Sequence, residues 1–308
     1  MNLSRTALAR IIPLALLSIA TGCAAAAPRY LATKAPLLAP AEPSSASMVE
    51  PIAVAEPVTA LEPEPEPAVV EEPRAARVFH EPLVPRAETR AVVLLYHLFG
   101  ADMKSAQSIS PEGFEQQLTW LATHHVEIIT AAELASFLDG ALALPARVAV
   151  ITLDDGHLST FARAYPLLKK HAVRFTLALN TEAIEGHRPE AVTWDNVNAM
   201  LASGLGELAS HSHIHGHMER LAEASNRREV TLSRSIIEAR MGVRAETFVF
   251  PFGGHDQRVM GLVKEAGYRA AFAVGTGRVK LDSPRWELPR KGVLRSTTLS
   301  EIAVLFSS

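Results

Sequence analysis

Arg147-Val-Ala-Val-Ile-Thr-Leu-Asp-Asp-Gly156 is the stretch on which the fold turns. After Arg147 it runs through apolar and β-branched residues, too short for a helix and suited to a buried strand. It then stops abruptly in two adjacent carboxylates and a glycine. Strands of α/β proteins carry reactive groups where they end, because there the side chains face a cleft instead of the core. Adjacent carboxylates repel, so a pair in a cleft has a cation to share or two different jobs. Further on, a second apolar stretch ends in Ser210-His-Ser-His-Ile-His-Gly-His217. One Asp with two His makes a divalent metal set and leaves the other Asp free as a base, which points to a metallohydrolase. The i, i+4 spacing of His211 and His215 would suit one face of a helix. Here the pair follows a strand, so a turn has to fold His215 back towards His211.

Working outward, apolar runs alternate with helical periodicity. Strands are expected at Ala91–Tyr96, 126–129, 174–179, 207–210, 247–250, 268–274 and 287–294. Between them, Ser110-Pro111 starts a helix and Thr130-Ala-Ala-Glu133 is a capping box. Helices are also expected over 161–170, from Thr193 to Gly204, over 226–241 and from Asp256 to Ala266. Thr298-Leu-Ser-Glu301 caps a last one. Such alternation predicts an α/β fold: a distorted (β/α) barrel of seven to eight mostly parallel strands, occupying residues 88–308.

The chain before the barrel reads differently. Met1–Arg10 is short and basic, Ile11–Ala20 is apolar, and small residues follow, the order of an export signal. The single cysteine closes Ala20-Thr-Gly-Cys23, which resembles a bacterial lipoprotein box. The expected organisation is a signal over 1–23 with Cys23 lipidated, then a linker over 24–87. Twelve of the 20 prolines lie between Ala24 and Arg86, interleaved with glutamates such as Glu62, Glu64 and Glu66. Proline removes backbone donors and the acids repel, so this stretch predicts an extended spacer. At roughly 3.1 Å per residue it reaches about 190 Å at most. The expected address is outside the cytoplasm, anchored to a membrane and facing the periplasm or the cell exterior. A net charge of −3 gives no reason to expect a nucleic-acid partner.

Three segments in order, Thr152-Leu-Asp-Asp-Gly156, His211-Ser-His-Ile-His215 and Phe248-Val-Phe-Pro-Phe-Gly253, resemble the signature of the polysaccharide deacetylases (NodB-homology, carbohydrate esterase family 4). Leu95-Tyr-His97, the stretch Leu262–Phe272 and Leu288-Pro-Arg290 extend the likeness over residues 91–300. The combination of Tyr-His on the first strand and Phe-Pro-x-Gly resembles secreted poly-N-acetylglucosamine-type deacetylases.

The resemblance implies that Asp155, His211 and His215 hold one divalent metal, with zinc the usual ion and cobalt, nickel or iron as alternatives. Asp154 would be the general base towards the attacking water, and the Phe252 N–H after Pro251 would hold the oxyanion. Thr152 and Ser212 would support the site. The implied substrate is an acetylated polysaccharide, either an N-acetylglucosamine polymer or peptidoglycan. Two other readings stand beside it: an O-acetyl esterase on xylan or cell-wall sugar, and a metal- or glycan-binding lipoprotein without turnover.

The chain also departs from the pattern. Leu153 stands where an aromatic is usual, and Val249 where an arginine normally braces the base, which leaves Arg290 as the candidate brace. No histidine follows His255, so the late Leu-x-His element that supplies a general acid is missing. His97, His157, His213, His255 and a twice-acting Asp154 are the candidates to replace it.

Overall fold

Strict alternation along each strand builds two separate apolar layers. In the computed structural model, which describes residues 77–100 and 104–307, the chain runs β1 (Arg90–Tyr96), β2 (Leu98–Phe99), β3 (Ser108–Ile109), α1 (Pro111–Thr123), β4 (Glu127–Ile129), α2 (Ala131–Asp139) and β5 (Arg147–Leu153). It continues through α3 (Tyr165–Lys170), β6 (Phe175–Leu179), α4 (Thr181–Glu185), α5 (Trp194–Leu201), β7 (Gly206–Ser210) and α6 (Glu223–Met241). The last elements are β8 (Thr247–Val249), α7 (Gln257–Glu265), β9 (Ala270–Val274), β10 (Leu288–Gly292) and α8 (Leu299–Phe306).

All pairings of the main sheet are parallel. β1 pairs with both β10 and β5, and the order β1-β10-β9-β8-β7-β6-β5 therefore closes into a seven-stranded barrel. The eighth strand, β4, pairs with the start of β5 at Val148–Val150, while β6 pairs with its end at Thr152 and Leu153. The expected (β/α) barrel of seven to eight strands is the fold. The sequence pattern had no means of showing that β4 stays outside the closed ring.

Ala91, Val93, Val148, Val150, Ala178, Ala209, Val249, Ala270, Phe272 and Leu288 share one buried cluster with Leu134, Ala135 and Phe137 of α2. These strand residues fill the barrel, and α2 closes it at the end where the strands begin. The intervening residues, such as Leu94, Ile151, Leu177, Leu208 and Phe248, form the second cluster with the outer helices. Period-two alternation therefore also decides which polar groups point inward. Continuing the inward sets 148–150 and 209 to the strand ends brings Thr152, Asp154 and His211 to the open mouth, all buried.

The folded region starts earlier than the boundary at 87/88 expected from composition. Arg77 donates from Nη1 to both carboxylate oxygens of Glu133 at 2.9 Å, and from Nη2 to the Ile128 carbonyl at 2.6 Å. Leu83 bridges Pro145, and the Val84 N–H donates to the Leu144 carbonyl at 3.3 Å. Those partners are far off in sequence, so a proline-rich local composition conceals them. The expected signal over 1–23, Cys23 and the linker up to 76 lie outside the described residues.

Candidate active site

Each reactive side chain sits where a strand has just ended. Asp154 follows β5, and its N–H donates to the Tyr96 carbonyl at 2.9 Å, which ties the strand end to β1. The next residue, Asp155, adopts a left-handed backbone with φ of 68°. Ser212 (63°), His215 (57°) and Phe252 (57°) do the same. Such conformations cost about 1–3 kcal/mol each and persist where the surroundings impose them. Here they turn consecutive side chains towards a single point.

The predicted fold-back of His215 is a turn held from three sides. The His215 N–H donates to Ser212 Oγ at 3.1 Å, and the Ser212 N–H to Ser210 Oγ at 3.3 Å. Glu229 of α6, itself buried, accepts the N–H groups of His213 and Ile214 on one oxygen, at 2.8 Å each. Sequence reasoning missed Glu229, because on a strongly charged helix it looks like any solvated acid.

Three potential ligand atoms converge. His215 Nε2 lies 3.1 Å and His211 Nε2 3.4 Å from Asp155 Oδ1, and the two nitrogens are 3.2 Å apart. The set is Asp155, His211 and His215, with its ligand atoms all within 4.8 Å of one another. His211 Nδ1 donates to the Val249 carbonyl at 2.8 Å, which leaves Nε2 a lone pair in the neutral ring. Asp155 Oδ1 is a buried oxygen with no hydrogen-bond partner among the described residues. Two ring nitrogens and an orphaned carboxylate oxygen facing one another are the donor set of a divalent cation, and the residues fit that group.

Asp154 also faces this set, with Oδ2 3.6 Å from His211 Nε2, but its carboxylate is held by a different partner. Arg290 of β10 donates from Nη1 to its Oδ1 at 2.7 Å and from Nη2 to its Oδ2 at 2.9 Å. Arg290 Nη1 also reaches Thr152 Oγ1 at 3.0 Å, and the Thr152 hydroxyl donates to the Leu94 carbonyl at 2.9 Å. Burial pushes the Asp154 carboxyl up, but the Arg290 guanidinium and the His211 ring outweigh it and hold it below the usual carboxylate range. Asp155 is likewise opposed by burial and brought well below its ordinary value by His157, His211 and His215. Burial lowers His211, yet the facing carboxylates of Asp154 and Asp155 raise it above its ordinary value.

A pocket of about 570 Å³ opens over these groups, with His97, Phe252, Thr276, Lys291 and Leu294 on its walls. Of the four candidate histidines for the missing acid, His97 alone lines it. Burial lowers the His97 pKa more than the two aspartates raise it. His213 Nδ1 is 2.9 Å from Thr181 Oγ1, and His255 stacks on Phe250 with Nε2 3.3 Å from Glu287. His157 points at Asp155 from the other side. Phe252 is 57% exposed at the rim and stacks on His217 at 4.1 Å. Gly253 behind it is obligatory: φ is 73°, and a Cβ there would meet the Val274 nitrogen at 2.7 Å.

Residues 142–271 match the family model for polysaccharide deacetylases. By that match, residues 142–271 form a polysaccharide deacetylase domain. The matched span contains Asp154, Asp155, His211, His215 and Phe252, whereas His97 and Arg290 lie outside it. Among curated proteins, this chain is 21% identical over 198 residues to a putative polysaccharide deacetylase of Bacillus subtilis, covering 64% of this chain and 69% of that one. It is 23% identical over 194 residues to a poly-beta-1,6-N-acetyl-D-glucosamine N-deacetylase of Staphylococcus aureus, covering 59% and 67%. The deacetylase PplD of Streptococcus pyogenes, solved with acetate, superposes with a TM-score of 0.68 at 17% identity, over 71% of this chain and 99% of that one. IcaB of Ammonifex degensii gives 0.61 at 22% identity, over 71% and 98%. At such identities the superpositions establish the barrel, and the site has to be argued from its own residues.

Proposed function

We propose that the protein removes N-acetyl groups from an exported N-acetylglucosamine polymer or peptidoglycan, leaving acetate and a free amine. The observation that carries this reading is that two adjacent aspartates at one strand end are held by different partners. Asp155 joins His211 and His215, while Asp154 is gripped by Arg290 and faces the same pocket. The activity of the Staphylococcus aureus relative supports an N-acetylglucosamine polymer as substrate.

A divalent ion held by Asp155, His211 and His215 would polarise the acetyl carbonyl and make water acidic enough to react near neutral pH. Zinc suits a two-histidine, one-carboxylate set, with cobalt, nickel and iron as competitors. Asp154, kept ionised by Arg290, accepts the proton of the attacking water. The Phe252 N–H, presented by the turn that Pro251 starts, holds the developing oxyanion. His97, the candidate histidine that lines the pocket, protonates the departing amine; its lowered pKa means that it must first take up a proton, such as the one Asp154 removes from water. Thr152 and Ser212 act by fixing Arg290 and His215. The basic, apolar and small-residue order of residues 1–23 supports export, with Cys23 as the lipid anchor of the proposed enzyme.

Acetate release by the purified protein tests the reading. The panel spans N-acetylglucosamine oligomers, peptidoglycan and acetyl-xylan, each with and without chelator. Chelator-sensitive acetate from the N-acetylated substrates is the expected result. Acetate from acetyl-xylan alone would make the protein an O-acetyl esterase, and none from any substrate with metal bound would make it a binding protein.

A further inference from the structure

Asp155 has two oxygens, and they face different partners. Oδ1 looks at the two imidazole nitrogens, while Oδ2 is 3.1 Å from His157 Nε2. His157 lies beyond Asp155 from the substrate pocket, in a separate cavity of about 310 Å³ shared with Asn180, Arg188 and Glu190. Asp155 and His215 line both cavities, whereas His157 lines only the second.

The place of His157 is fixed by its backbone. Residue 157 bridges Ala191 in antiparallel fashion. On either side, the Leu158 N–H donates to the Glu190 carbonyl at 2.7 Å and the Val192 N–H to the Gly156 carbonyl at 2.8 Å. The left-handed turn at Asp155 is followed at once by Gly156, also at positive φ (70°), where a Cβ would press on Leu179 at 3.2 Å. A rigid turn therefore delivers aspartate and imidazole together.

We propose that His157 is a positioning residue for the metal ligand Asp155. Its Nε2–H donates to Oδ2, which holds the carboxylate in one rotation and presents Oδ1 alone to the ion. Partners behind a ligating group fix its orientation, and losing one costs about 10- to 100-fold in metal affinity. The imidazole then acts through Asp155, being absent from the residues that line the substrate pocket. The inference rests on the metal reading of Asp155, His211 and His215.

The test is zinc affinity of the full chain, measured by competition with a chromophoric chelator, for wild type, His157→Phe and His157→Gln. Phenylalanine removes the donor, whereas glutamine carries an N–H close to where Nε2 stands. Zinc affinity should fall about 10- to 100-fold in the phenylalanine variant and be largely recovered in the glutamine variant. Metal-free melting temperatures should stay together. If phenylalanine proves too large for the cavity, His157→Ala removes the donor without adding volume, and the same loss is expected of it. Undiminished zinc affinity in the donor-free variants would overturn the proposal, as would a glutamine variant as weak as they are. A wild-type protein without zinc affinity would instead defeat the metal reading itself.

Discussion

Arg290 and Asp154, 136 residues apart in sequence, form a bidentate pair in which each side chain is about 1% exposed. Burying either charge alone would be costly, and the planar fork repays it by satisfying both carboxylate oxygens at once. Removing the cation leaves an uncompensated buried anion. Arg290→Met should therefore lower stability by about 3–5 kcal/mol. It should also raise the Asp154 pKa and cut acetate release far more than unfolding alone explains. Arg290→Lys should fall between, because an ammonium does not match both oxygens. Denaturant unfolding beside the pH dependence of kcat/KM checks both parts. Parental values in the methionine variant would mean that Asp154 is braced by other groups.

Asp154→Asn keeps the shape of the side chain and removes its basicity. Acetate release should drop by at least about 100-fold, the scale of general-base catalysis. Zinc stoichiometry should stay at the wild-type value, because Asp155, His211 and His215 are untouched. Loss of both together would mean that the roles of the two aspartates are exchanged. Metal content by elemental analysis, read beside turnover, separates the cases.

The strands, the capping boxes at Thr130 and Thr298, and the three ligand candidates are legible in the sequence because each is a local signal: alternation, a cap three residues before its partner, or histidines four apart. What stayed hidden is set by register. Nothing near Arg290 says that β10 lies beside β1 at Leu94 and Leu95, so the brace on Asp154 had only a candidate's standing. Glu229 serves a loop 15 residues away, from a helix whose polar pattern resembles any exposed face. The two-residue strands β2 and β3 and the five-residue α4 are too short for periodicity to register. Arg77 reads as linker in the sequence because its partners Glu127 and Glu133 lie beyond any local window.

His211 sets the sign of a pH effect in the metal-free protein. Burial opposes its charge, but Asp154 and Asp155 raise its pKa above the ordinary value of 6.5. A raised folded pKa gives stability that is fully present below about pH 6.5 and is lost as pH rises through the folded value. His97, whose pKa is lowered, acts in the other direction, removing stability as pH falls below 6.5. The metal-free melting temperature should therefore decline on both sides of about pH 6.5, and His211→Asn should abolish the decline on the alkaline side. Zinc has to expel the His211 proton, so its affinity should rise with pH and its binding release fewer protons above the folded pKa. Calorimetric titration in buffers of different ionisation enthalpy measures that release. Equal release on both sides of the transition would show that His211 carries no proton in the metal-free site.

Glu229 joins α6 to the histidine turn through one oxygen shared by two main-chain donors, the N–H groups of His213 and Ile214. Glu229→Ala would remove the shared acceptor of both part-buried donors, at no more than about 1–3 kcal/mol for each, since water reaches the exposed Ile214. The turn that places His215 opposite His211 would then lose its clamp, while His211, anchored separately by the Val249 carbonyl, would keep its place. Zinc affinity should fall with little change in the wild-type tautomer of His211. Glu229→Gln keeps an acceptor oxygen and should retain most of that affinity. Nitrogen-15 shifts of the two imidazoles distinguish them directly: the alanine variant should disturb His215 and spare His211. A variant that disturbs both rings equally would make Glu229 a general support of the barrel mouth and not the clamp of one ligand.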